Sequence, residues 1–296
     1  MDTAPVFIWT EPLSRRWHDC PRAAWMQLFC GPPAPLLTKV ETLPQHIVTI
    51  VRSVMHETLE TLPPGSPPPG ADVLQQRALE QLRAQWRLSR ANVTAWRQGR
   101  LPSAPCFMFL EHCRQTDLPR ETTDAARDRL LEYAAACAGS QFWEEWQMLP
   151  AGSLLANGNE AEIALDCGGM RAAARFDSGT VYRDRSGKVH VMEWHGESGS
   201  ADDFLQCCRI FHAMKQWQLP FEQLHCERIL LNDGGRCRRS FVTRSALKAC
   251  ANKLKGEIRQ IAGLGEEEAA FPPAGAPGIC EVCPFSPVCA GNPTMV

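Results

Sequence analysis

Four cysteines pose the first chemical question: Cys20 stands alone, while Cys280, Cys283 and Cys289 form a C-x2-C-x5-C cluster. Thiolate is the soft ligand that zinc and iron-sulfur clusters select, and four thiolates complete either kind of site. Structural zinc usually draws on two paired knuckles, whereas the split here is one plus three, with Pro284 directly after the second cysteine of the trio. That asymmetry favours a [4Fe-4S] cluster over zinc, and ordinary buried thiols are a weaker reading for the trio than for Cys20. The segment 189–195, VHVMEWH, poses the second question. Side chains alternate along a strand, so Val189, Val191, Glu193 and His195 share one face, and His190, Met192 and Trp194 the other. Asp177 ends an earlier strand, RAAARFD, and lies beside Glu193 if the two strands are neighbours. Paired carboxylates make the hard oxygen site that Mg2+ or Mn2+ prefers, and such an ion turns water into hydroxide and stabilises charge on a phosphodiester. Taken singly, either acid reads as a surface residue at a strand end.

The elements that must position these residues are legible in outline. Apolar residues at Ile47, Val51, Val54 and Leu62 have helical spacing and stop at PPGSPPPG, 63–70, which forces a loop. Helical stretches over about 73–97 and 123–148, separated by Pro102, Pro105 and Pro119, read as an insertion spanning 63–150. From Leu154 the texture changes to short runs divided by turn residues, which predicts a β-meander through EIAL, RAAARFD, TVYRD and KVHVMEW. Asp202 and Asp203 open a helix reaching about Trp217, a hairpin is expected at 232–235, and a last helix covers about 245–262. The predicted class is α/β, a single domain over 1–296.

Composition narrows the partners. The 296 residues carry 14 cysteines, but the opening MDTAPVFIWTEPLSRR lacks a basic region followed by an apolar signal core, which predicts a reduced, cytoplasmic setting. No apolar run approaches the ~20 residues of a membrane helix. A net charge of −2 excludes a uniformly basic nucleic-acid coat. Two local arginine groups, Arg15, Arg16 and Arg22, and Arg236, Arg238 and Arg239, are candidates for phosphate contact. Trp9, Trp17 and Trp25 are candidates for base stacking, against core packing.

Six segments, SRRWHDCPRAAW (14–25), VMHETLE (54–60), RFD (175–177), VMEWH (191–195), DFLQ (203–206) and CEVCPFSPVC (280–289), stand in the order found in RecB-like PD-(D/E)XK nucleases. The chain resembles their iron-sulfur branch, which includes the AddB nuclease domain and the CRISPR-associated RecB-like exonucleases. The resemblance does not cover 63–150. It implies a restriction-endonuclease-like core, a mixed sheet flanked by helices, with residues 272–296 joined to Cys20 by the cluster. It further implies that His56, Asp177 and Glu193 bind Mg2+ or Mn2+, that the Trp194 carbonyl adds a ligand, and that Gln206 and the residue at 195 belong to the catalytic set. The implied substrate is DNA, single-stranded or with free ends, and the insertion offers a docking surface for a protein partner. His195 stands where the family places lysine, so a permanent cation is missing, and Ile210 stands where tyrosine is common. Arg209, one turn from Gln206, is the candidate replacement; Lys215 falls on the opposite side of that helix. The alternative expectation is a degenerate nuclease fold that binds DNA or a partner without hydrolysis.

Overall fold

The computed structural model describes residues 6–30, 40–98, 100, 107–114, 118–196, 202–240, 242–274, 276–286, 288 and 289. Pro102, Pro105, residues 290–296 and the side chains of Asp202 and Asp203 lie outside them. The helices are α1 (Glu11–Asp19), α2 (Pro21–Phe29), α3 (Leu43–Thr61), α4 (Ala71–Arg97), α5 (Leu110–Arg114), α6 (Arg120–Ala138), α7 (Phe142–Met148), α8 (Asp202–Gln216), α9 (Arg244–Gly263) and α10 (Pro277–Val282). The strands are β1 (Phe7–Thr10), β2 (Val40–Glu41), β3 (Met108–Phe109), β4 (Leu154–Asn157), β5 (Glu160–Asp166), β6 (Arg171–Asp177), β7 (Thr180–Arg183), β8 (Val189–His195), β9 (Leu224–Leu230) and β10 (Arg236–Ser240). The class is α/β with mixed sheets. The chain forms two compact units: residues 1–11, 48–78 and 129–260, and residues 12–47, 79–128 and 261–296. Segment 63–150 contributes to both.

In the first unit a five-stranded sheet runs β10-β9-β8-β7-β4 and a three-stranded one runs β1-β6-β5. Every residue of β8 is buried, as befits a central strand, parallel to β9 on one side and antiparallel to β7 on the other. The expected neighbourhood of β6 and β8 is not found: β6 pairs with β1 and β5, while β7 pairs with β8. The reason is a shared bend. The chain turns at Gly158 between β4 and β5 and at Gly179 between β6 and β7, both at positive φ. Across the bend Gly158 N donates to Gly179 O at 2.9 Å and Ser178 N to Asn159 O at 2.9 Å, so the paired chain passes from one sheet to the other. Asp177 is the last residue before it.

Helix α8 packs on both sheets. Its Leu205 and Cys208 join Trp9, Ile163, Ala174, Phe176, Leu254 and Ile258 in one core, and its Ile210 and Ala213 join Val181, Val189, Val191 and Cys226 in another. Residues three apart share a helix face, so Gln206 and Arg209 are carried together, and both are buried. Helix α3 buries Ile50, Val51, Val54, Met55 and Leu59 and keeps Arg52 and His56, one turn apart, off that stripe.

In the second unit β2 and β3 form a short parallel pair. Cys20, Ala23, Met26, Val40, Val93, Met108, Leu110 and Phe285 make the core, with Cys283 and Cys289 packed against it.

Candidate active site and thiol cluster

Glu193 enters the interior of the first unit from the middle of the sheet, 4 % exposed, where an isolated carboxylate would be costly. Two guanidinium groups remove that cost. Arg52 Nη2 donates to Oε1 at 2.8 Å, and Arg209 Nη1 makes an ion pair with Oε2 at 2.6 Å. Burial pushes the Glu193 carboxyl up, but the charges of Arg209 and Arg52 outweigh it and hold its pKa at about 2. His195 adds to the same field from two residues along the strand. Arg209 Nε also donates to the Asp177 carbonyl at 2.7 Å, so one guanidinium spans both acidic positions despite the missing strand pairing. Burial would lower the pKa of Arg209, and Glu193 and Asp177 raise it instead.

Asp177 Oδ1 accepts from Gly179 N at 2.7 Å, which fixes the carboxylate at the bend. His56 feels the charge of Asp177, yet burial dominates and lowers its pKa, leaving the neutral imidazole that a metal ligand needs. The imidazole lies against Gly158: a Cβ built there would stand 2.0 Å from His56 Nδ1. Asn157 Nδ2 donates to the His56 carbonyl at 2.7 Å. Gln206 is buried, and its Nε2 has no hydrogen-bond partner among the described residues.

His56, Asp177, Glu193, His195 and Gln206 thus all fall in the first unit. Among the described residues, His56, Asp177 and Glu193 do not bring three ligand atoms within 4.8 Å of one another. The donor chemistry nevertheless suits a hard divalent ion, with two carboxylates and a neutral imidazole. Arg52 supplies a cation at Glu193. It bridges the Glu193 carboxylate and the Trp194 carbonyl, with Nε donating to the latter at 2.7 Å. The i, i+4 spacing of Arg52 and His56 on α3 is the sequence signal for this contact.

The other face of β8 carries a polar network that the strand pattern did not reveal beyond a histidine in an apolar row. His190 Nδ1 pairs with Glu227 Oε1 at 2.9 Å and Nε2 with Asp184 Oδ2 at 3.1 Å. Tyr182 Oη lies 2.7 Å from Glu227 and 3.0 Å from Glu145. Arg239 binds both glutamates, with Nε at 2.7 Å from Glu227. Glu145, His190 and Glu227 are the trio whose ligand atoms do lie within 4.8 Å of one another. Arg239 engages both glutamates of this trio, and the bonds to Glu227 and Asp184 occupy both nitrogens of His190.

In the second unit the four predicted cysteines converge. Cys20 and Cys289 both act electrostatically on Cys280 and on Cys283. Burial, with those neighbours, raises the Cys283 thiol to about 11 against the bonds donated by Phe285 and Ser286 N–H. Ala274 N donates to Cys20 Sγ at 3.4 Å. Arg114 ties the loop down through the Cys280 carbonyl at 2.6 Å and Ser286 Oγ at 2.7 Å. Arg16, lowered to about 10 by burial, contributes charge beside Cys283. No three of these sulfurs lie within 4.8 Å of one another. Ligands of a single tetrahedral zinc, with bonds of ~2.3 Å, stand about 3.8 Å apart.

Several candidate nucleic-acid contacts are engaged within the protein, the tryptophans by packing, the other reading the sequence offered. Trp9 is fully buried and donates to Glu257 Oε1 at 2.8 Å. Trp17 packs on Phe271, and Trp25 Nε1 donates to the Glu266 carbonyl at 2.8 Å. Arg16 lies over Phe285, Arg22 donates to the Phe271 carbonyl and pairs with Glu268, and Arg239 pairs with Glu145 and with the buried Glu227. No helix among the described residues is long and apolar enough to cross a membrane. No family model matches the chain, and comparison with curated proteins finds no match, so any family assignment rests on motif order and on the geometry above.

Proposed function

We propose that the protein is a RecB-like PD-(D/E)XK nuclease that hydrolyses DNA, single-stranded or with free ends, and carries a structural [4Fe-4S] cluster on its four converging cysteines. The observation that carries the reading is the gathering of Asp177 and Glu193 by one buried guanidinium at a strand bend, with a neutral His56 at Asp177. His56, Asp177 and Glu193, with the Trp194 carbonyl, would hold Mg2+ or Mn2+. The ion would supply Lewis-acid stabilisation of phosphodiester charge and a more acidic bound water. This chain's own residues do the positioning. Gly179 N orients the Asp177 carboxylate, Arg209 keeps Glu193 ionised and carries the fixed positive charge that lysine supplies in the family, and His195 offers a nitrogen on the Glu193 face. Burial of these groups strengthens each interaction relative to water. Cys20, Cys280, Cys283 and Cys289 would hold the cluster, four thiolates completing its ligand set.

A second reading is favoured by two observations: His195 in the lysine position, and a Glu193 whose two oxygens both face arginine. It describes a silent nuclease fold that binds DNA or a partner subunit. End-labelled single-stranded DNA with Mn2+ separates the two. The nuclease reading predicts cleavage that Asp177→Ala and Glu193→Ala each reduce by at least about a hundredfold. Binding without cleavage, or cleavage indifferent to both substitutions, contradicts it. A gain of cleavage in His195→Lys over an inactive parent would mark the site as decayed.

A further inference from the structure

We propose that Arg52 is a displaceable internal counter-ion, which occupies the cation position of the acid site and must leave before a divalent ion binds, while Arg209 stays as a permanent charge. The inference rests on the nuclease reading and specifies how that site is loaded.

Arg52 touches two oxygens from consecutive residues of one strand: Nη2 lies 2.8 Å from Glu193 Oε1, and Nε 2.7 Å from the Trp194 carbonyl. A carboxylate and a backbone carbonyl are both hard donors, the kind a divalent ion takes at ~2.1 Å. One guanidinium bridging them fills the space between them. A divalent ion binding Glu193 Oε1 and the Trp194 carbonyl would need the oxygens that the guanidinium holds, so the two compete for one place.

The two arginines differ in their freedom to move. The Arg209 side chain is 2 % exposed, bonded to the Asp177 carbonyl at 2.7 Å, and lies 3.7 Å from where a Cβ on Gly179 would stand. The Arg52 side chain is 29 % exposed, and its path to solvent is already open. It sits on α3 one turn before His56, so its release would clear the Glu193 side of the site and leave the imidazole against Gly158.

The test is Mn2+ binding without DNA, read from the loss of the free-ion electron paramagnetic resonance signal. Wild type, Arg52→Gln and each combined with Glu193→Gln are compared, so that ions held by Glu145 and Glu227 are subtracted. The proposal predicts Glu193-dependent binding at least ten-fold tighter in Arg52→Gln than in wild type. Equal or weaker binding in that variant overturns it and leaves the nuclease reading standing. Absence of Glu193-dependent binding in both overturns the two together. Thermal melts establish that the variants fold. If Arg52→Gln does not, wild type decides: saturating Mg2+ must shift or broaden the Arg52 Nε–H resonance, assigned by its loss in Arg52→Lys, and an unmoved resonance overturns the proposal.

Discussion

Glu193 shows how little a residue's type reveals about its state. Alternation along VHVMEWH put it on a face with His195, and burial follows from a central strand, but its ionisation depends on Arg52 and Arg209, residues 141 and 16 positions away in sequence. Partner choice over such distances is a tertiary property, so only Arg209 was reachable in advance, through its one-turn spacing from Gln206. The lowered Glu193 pKa has a consequence for stability. A carboxyl held below its ordinary 4.5 contributes stability above that pH and loses it as pH falls toward about 2. Denaturation of wild type and Glu193→Gln across pH 5 to 2 should show the wild type losing its advantage over the variant in that window; parallel curves would contradict the clamp. His190 has the opposite sign. Burial lowers its pKa, the bonds and charges of Glu227 and Asp184 outweigh that and raise it, and the resulting stability is full below 6.5 and lost as pH rises through the raised value. Relative to His190→Asn, wild type should therefore be favoured at acid pH and lose that margin in alkali. At Gly158 an alanine would meet His56 Nδ1 at 2.0 Å on a backbone with φ +67, so Gly158→Ala should destabilise by more than about 1 kcal/mol in urea and raise the metal requirement.

Elements were easier to anticipate than their neighbours. Helical spacing ending at a proline-rich loop located α3, alternation and turn residues located β5 to β8, and the turn at 232–235 joins β9 to β10. Short parallel strands were missed: β1, β2 and β3 have partners about 165, 68 and 68 residues distant, and four or fewer residues carry little periodic signal. The larger miss was the bend. Independent strands RAAARFD and TVYRD were expected to lie in one meander, yet Gly158 and Gly179 turn the pair from one sheet into another and leave Asp177 at the corner. Gly179→Ala tests that device. Its Cβ would meet the Met192 carbonyl at 2.7 Å with φ +68, so a loss of more than about 1 kcal/mol is expected, with a matching fall in activity as Arg209 is displaced. A variant as stable and active as wild type would mean the corner does not position Arg209.

At the scale of the whole chain, Cys20 and the 280–289 trio, which the sequence singles out by soft donors and short spacings, fall in one unit, the second. The two-unit organisation was not legible: segment 63–150 read as one insertion, but its helices contribute to both units. Anaerobic purification should yield a brown protein absorbing near about 400 nm with about four iron atoms per chain, and Cys283→Ala should lose both. Stoichiometric zinc in a colourless preparation would contradict the cluster. The central claim concerns the acid site, and crystals grown with Mn2+ test it most directly. Anomalous scattering should place an ion about 2.2 Å from the Asp177 and Glu193 carboxylates, with the Arg52 guanidinium turned away. Strong anomalous density confined to Glu145 and Glu227, with Arg52 still on Glu193 at saturating Mn2+, would contradict the account.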